Sequence, residues 1–224
     1  MDTRATEKQK LFYGYVALIY SLFLLFHLIS NFCGRTEEHW RFFYAFTQQS
    51  NILVLLWLAG YGLCAFSKRP IRRVFHNRIL ITALTVYISI TFFIVALVLN
   101  PVYAGAWQPL STSAEFLTHN MTPVVMWLYF FIVPGEGTLK AKHAGLVLIY
   151  PLLYVAANLL IGANVQYLNG QAAYAYGFIN PNSYPNLLVF AAVILGLVLV
   201  FVVFGLLLIK LKNRIVQAGC DEGL

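Results

Sequence analysis

The chain alternates between long apolar runs and short polar breaks. Six runs approach the ~20 residues that a helix needs to cross a hydrocarbon layer ~30 Å thick. They are roughly Leu11 to Cys33, Phe42 to Phe66, Ile79 to Leu99, Ala114 to Val133, Ala144 to Ala163 and Pro185 to Ile209. The connections are short, and no linker, repeat or low-complexity segment marks a second domain. The pattern predicts an all-α membrane protein, a single six-helix transmembrane bundle over residues 1–224.

Composition agrees: 60% of the 224 residues are hydrophobic and 10% are charged. A soluble domain has about 45–50% apolar and about 25% charged residues, and a globule of this size has no interior large enough for the difference. The 14 Tyr and 4 Trp suit a chain that crosses the two membrane interfaces repeatedly. Cys33, Cys64 and Cys220 have neither metal-binding nor disulfide-framework spacing, so no metal and no cofactor is expected. The charged start, MDTRATEKQK, leads into an apolar run without a small-residue cleavage site, which predicts a first helix rather than a removed signal peptide.

The net charge of +7 raises nucleic acid as a partner, but its distribution assigns it to topology. Arg4, Lys8 and Lys10 precede the first run, and Lys68, Arg69, Arg72, Arg73 and Arg78 lie between the second and third. Lys140 and Lys142 follow the fourth, and Lys210, Lys212 and Arg214 follow the sixth. Thirteen of the 15 Lys and Arg therefore share one side, leaving Arg35 and Arg41 on the other, and the positive-inside rule puts both termini in the cytoplasm. The outer loops, Asn100 to Ser113 and Asn164 to Tyr184, contain no Lys or Arg and are expected to be ordered caps over the outer mouth.

Polar side chains within spans are costly in lipid and are functional candidates by default. His27 lies about six residues before the outer end of its run, Thr47 and His119 about five after the starts of theirs, and Asn158 about five before the end of its own. At 1.5 Å per residue all four fall ~8–9 Å below the outer boundary. Ser50 and Asn51 come one turn deeper than Thr47, and Asn51 shares its face. Asn120, Thr122 and Pro123 follow His119, and Pro123 is expected to kink the helix and expose carbonyls there. A hydroxyl and an imidazole at one depth are what a nucleophile and its general base require. Interhelical hydrogen-bond glue is the competing reading, and it weighs more for Ser50, Asn51 and Asn158 than for Thr47 with His119. His27 is divided between partner of the site and packing, while His39, His76 and His143 are expected to be solvated.

Two segments, FTQQSNILVLLW at Phe46 to Trp57 and HNMTP at His119 to Pro123, resemble the androgen-induced-protein-like (androgen-dependent TFPI-regulating-protein-like) family of integral membrane proteins. YPLLY at Tyr150 to Tyr154 and YAYGFINPNSYP at Tyr174 to Pro185 are similar to its bacterial branch. The chain departs from the family in its QQSN segment, absent around the animal threonine, and in Tyr129, where bacterial relatives carry an acidic residue. The resemblance implies a threonine hydrolase of fatty acid esters of hydroxy fatty acids, with Thr47 as nucleophile and His119 as base, in a bacterial plasma membrane. Asn51 or Asn158 would supply oxyanion donors, and His27 or Glu115 would orient the base. The partners expected are the bilayer and a membrane lipid or amphiphilic acyl ester, with no nucleic acid. The alternatives are a small-amphiphile binding protein or transporter, against which stands the lack of a clear inverted repeat, and a non-catalytic scaffold with Trp107 and Tyr184 on its contact surface.

Overall fold

The structure, a computed structural model, describes residues 3–34, 39–66, 72–99, 116–133 and 135–221. Eight α-helices occur among them: α1 (Thr3–Cys33), α2 (Trp40–Tyr44), α3 (Phe46–Ala65), α4 (Arg72–Phe75), α5 (Arg78–Ile94), α6 (Thr122–Ile132), α7 (Ala144–Asn164) and α8 (Leu187–Asp221). Wider π turns extend α5 over Val95–Leu99 and lead into α6 over Leu117–Met121. The described residues contain two isolated β-bridges and no strand.

Four stretches are long and apolar enough to cross a membrane: Glu7–Cys33, Arg78–Leu97, Ala141–Asn164 and Leu187–Gln217. The second expected span is divided at Ala45, whose extended backbone (ψ 131°) separates α2 from α3, and it opens on the polar run from Thr47 to Asn51. Of the fourth, Ala114 and Glu115 lie outside the described residues, within which its π turn and α6 run from Leu117 to Ile132. Arg35, Lys68, Arg69, Glu115 and the Asn100 to Ser113 loop with Trp107 lie outside the described residues.

The core sits around α5, which packs against α3, α6, α7 and α8 and is buried at every residue from Ile81 to Thr91. Its polar residues satisfy themselves locally. The hydroxyls of Thr82, Thr85, Ser89 and Thr91 each donate to the carbonyl four residues earlier, at 2.6–3.2 Å. By contrast, only 11% of the most apolar stretch of α8 is buried within the protein, against 67% for α5. Leu188 is 80% and Leu195 67% exposed, which suits lipid and not water.

Close approach of α1 and α3 depends on small residues. A Cβ on Gly14 would collide with Cβ of Ala65, and one on Gly62 would stand 2.8 Å from the Gly14 carbonyl. In α7, Pro151 lacks the N–H that would bond the Val147 carbonyl. Tyr87 of α5 replaces it, donating its hydroxyl to that carbonyl at 2.9 Å.

At the end of the bundle opposite Thr47, the helix expected to stop at Ile209 continues to Asp221 and buries Lys212 completely. The sequence counts Lys212 among the basic residues of the cytoplasmic side. Its ammonium donates to the carbonyls of Phe130 and Val133, at the C-terminal end of α6, and lies 4.9 Å from the centre of the Phe130 ring. Arg78 Nε donates to the Gly135 carbonyl at 3.1 Å and Asn213 to that of Leu139 at 3.1 Å. Two histidines expected to be solvated are half-buried as well: His76 packs on the Tyr61 ring, and Nδ1 of His143 accepts the Lys140 N–H.

Candidate active site

Thr47 stands in the first turn of α3, where the backbone N–H groups have no partner within the helix. The N-cap position holds Ala45, which offers no side-chain acceptor. Two tyrosines substitute for it. The Phe46 N–H donates to the Tyr154 hydroxyl at 3.2 Å and the Thr47 N–H to the Tyr176 hydroxyl at 3.4 Å. The Tyr176 hydroxyl also lies 3.5 Å from Thr47 Oγ1.

His119 arrives from the opposite side on the π turn. Pro123 explains that turn: it has no N–H for the His119 carbonyl four residues earlier, and its ring crowds that carbonyl, so the backbone widens. Thr122 then gives both its N–H and its hydroxyl (3.1 Å) to the Leu117 carbonyl. The Tyr20 hydroxyl, 3.0 Å from Thr122 Oγ1, ties the turn to α1. The result brings His119 Nε2 to 3.4 Å from Thr47 Oγ1. Thr47 is buried and His119 half-buried.

Asn51 fastens the two segments together. Its amide donates to the carbonyls of Thr47 (2.8 Å) and Thr118 (3.1 Å), so both of its N–H groups are committed and the expected oxyanion role does not fit it. Ser50 donates to the Thr47 carbonyl at 3.0 Å and meets Thr91 of α5 at 3.1 Å. Asn158 works one step further away. Its amide nitrogen donates to the Tyr154 carbonyl (3.3 Å), and its Oδ1 accepts the Ala175 N–H (3.0 Å). Its carbonyl receives the Tyr44 hydroxyl at 3.2 Å. Asn158 is thus a clasp on the loop that carries Tyr176, not an oxyanion donor. His27 and Asn120 are half-buried, and neither joins the hydrogen bonds that converge on Thr47.

The Asn164 to Tyr184 segment, expected as an ordered cap, turns at Gly170 (φ 79°) and packs Ala173 and Ile179 into the bundle. Tyr176 and Phe178 stack with ring centres 5.1 Å apart. Burial pushes the Tyr176 phenol above the ordinary tyrosine value, and its hydrogen bonds with Thr47 pull the other way more weakly, so it remains a proton donor. Sequence reasoning missed Tyr176. The available signal was its place in an aromatic loop free of basic residues.

Beside Thr47 lies a pocket lined almost wholly by hydrocarbon from α5, α7, α8 and the loop. The described residues hold no cluster of His, Cys, Asp or Glu able to bind a metal ion. The site therefore offers a hydroxyl, an imidazole and a phenol in a row, at the wall of a space suited to an apolar ligand. Comparison with protein-family models, curated proteins and solved structures found no match.

Proposed function

We propose that the chain is an intramembrane lipid ester hydrolase of the androgen-induced-protein-like type, acting on fatty acid esters of hydroxy fatty acids or related acyl esters. The observation that carries the reading is the approach of His119 Nε2 to Thr47 Oγ1 at 3.4 Å beside an apolar pocket. Catalytic hydrogen bonds are often this long before substrate binds.

In the proposed reaction His119, protonated on Nδ1, takes the Thr47 hydroxyl proton on Nε2 as Oγ1 bonds to the ester carbonyl carbon. The alkoxy C–O bond then breaks, and the leaving oxygen takes the proton from His119. Water reverses the sequence: it gives a proton to His119 and its hydroxide to the acyl carbon. The acyl–Oγ1 bond breaks and Oγ1 recovers the proton. The Tyr176 O–H, beside Thr47 at the positive end of α3, is the donor proposed for the developing oxyanion.

The same proposal takes the chain as six-spanning, with both termini in the cytoplasm of a bacterial plasma membrane. The 20 residues of α3 extend ~30 Å, enough to span despite their polar first turns. Thirteen of the 15 basic residues then lie inside.

The test is to incubate the protein in lipid nanodiscs with a panel of fatty acyl esters and a fluorophosphonate probe, comparing wild type, Thr47→Ala and His119→Ala. Labelling and hydrolysis lost in both folded variants support the pair. Equal signals in all three, or none in any, remove the reading.

A further inference from the structure

Resting on the hydrolase reading for its orientation, we infer that the pocket holds the acyl half of the ester, enters from the bilayer along the α7–α8 seam, and limits the chain length accepted. The lining supports a single extended hydrocarbon chain. On α7 it comprises Leu148, Pro151, Leu152 and Val155, and on α8 Ile194, Leu197, Val198 and Phe201. Both sets fall at positions i, i+3, i+4 and i+7, so each helix gives the pocket one continuous stripe. Seven residues advance ~10 Å, which makes the space elongated along the helix axes.

Four polar side chains line the pocket. The hydroxyl of Thr91, on α5, is occupied with the Tyr87 carbonyl and Ser50, and that of Tyr154, on α7, with the Phe46 N–H and the Tyr44 carbonyl, which leaves Thr47 and Tyr176, on the α3 and loop side, to meet a ligand. An amphiphile with one reactive carbonyl and a long apolar tail matches this division. The alcohol half departs on the His119 side, because its oxygen must take the proton from His119 Nε2.

The seam is the route because Leu152, which lines the pocket, is also 46% exposed. A chain arriving from lipid gains nothing from hydrophobicity, since acyl tails are as apolar as the pocket. Discrimination must come from packing, and the pocket therefore acts as a ruler.

The test uses the whole protein in nanodiscs and a palmitic acid carrying a terminal diazirine, with crosslinks mapped by mass spectrometry. Labelling is expected within 148–155 and 194–201, saturable by unlabelled oleate and retained in Thr47→Ala. Leu152→Trp and Val198→Trp, with Val198→Phe as the milder change, should lower it at least five-fold. Leu195→Trp on the outer face of α8 should leave it unchanged. In turnover, the Val198 variants should lose long-chain esters at least ten-fold more than short ones. Unsaturable labelling spread over the outer face of α8, or unaltered chain-length preference in active variants, overturns the inference. Saturable pocket labelling without ester hydrolysis by wild type instead overturns the hydrolase reading and leaves the acyl site standing.

Discussion

The polar clusters at the two ends of the bundle differ in how their donors are used. Around Lys212 the donors are committed to carbonyls at chain ends and turns: those of Phe130 and Val133 for Lys212, Gly135 for Arg78 and Leu139 for Asn213. Around Thr47 the supporting amides and hydroxyls of Asn51, Ser50 and Asn158 are similarly committed, but among the described residues the Thr47 hydroxyl makes two long contacts, at 3.4 and 3.5 Å. One cluster ends in backbone acceptors and stabilises the fold. The other ends beside an apolar pocket, where a loosely held hydroxyl is placed to exchange one partner for another.

The contrast is sharpest under Thr47→Ala, which should reduce ester hydrolysis at least about 1,000-fold with little change in melting temperature; Thr47→Ser should restore part of it. Steady-state rates and thermal unfolding in the same nanodiscs check both parts. A variant that unfolds as readily as it loses activity would make the Thr47 cluster structural, like its counterpart.

Lys212→Met should do the reverse. It keeps volume but leaves two carbonyls unpaired, costing about 2 kcal/mol of stability, while the rate per folded molecule stays at the wild-type value. Thermal unfolding with active-site titration separates the two. An activity loss without destabilisation would erase the distinction between the ends.

Tyr176→Phe removes one hydroxyl from the row and should lower kcat about 10- to 100-fold with KM nearly constant, the pattern of a group that acts in the transition state. Asn158→Ala should have the smallest effect, about five-fold in kcat, since it acts at one remove, by releasing the Ala175 N–H and the Tyr154 carbonyl and so loosening the segment that carries Tyr176. Combining it with Tyr176→Phe should add almost nothing. Additive losses would mean that Asn158 works by another route.

Apolar run length made α1, α5, α7 and α8 legible in the sequence, because their hydrophobicity is a local property. The approach of Thr47 to His119 was legible too, since residue counting from span ends measures depth. Tyr176 was not, because a loop residue has no depth until the Asn158 clasp places it. The burial of Lys212 was not legible for a related reason. Counting basic residues assigns a side to each one and is blind to a lysine that folds back onto the carbonyls of α6. The break at Ala45 was also hidden, as the polar run that follows reads equally well as part of one long helix.

The π turn at Leu117–Met121 is equivalent in length to one residue inserted into an α-helix. Five residues of such a wide turn rotate about as far as four of an α-helix, so the helix on either side keeps its direction and the residues inside the turn are the ones re-aimed. His119 is one of them, and the wide turn sets the direction from which its imidazole meets Thr47.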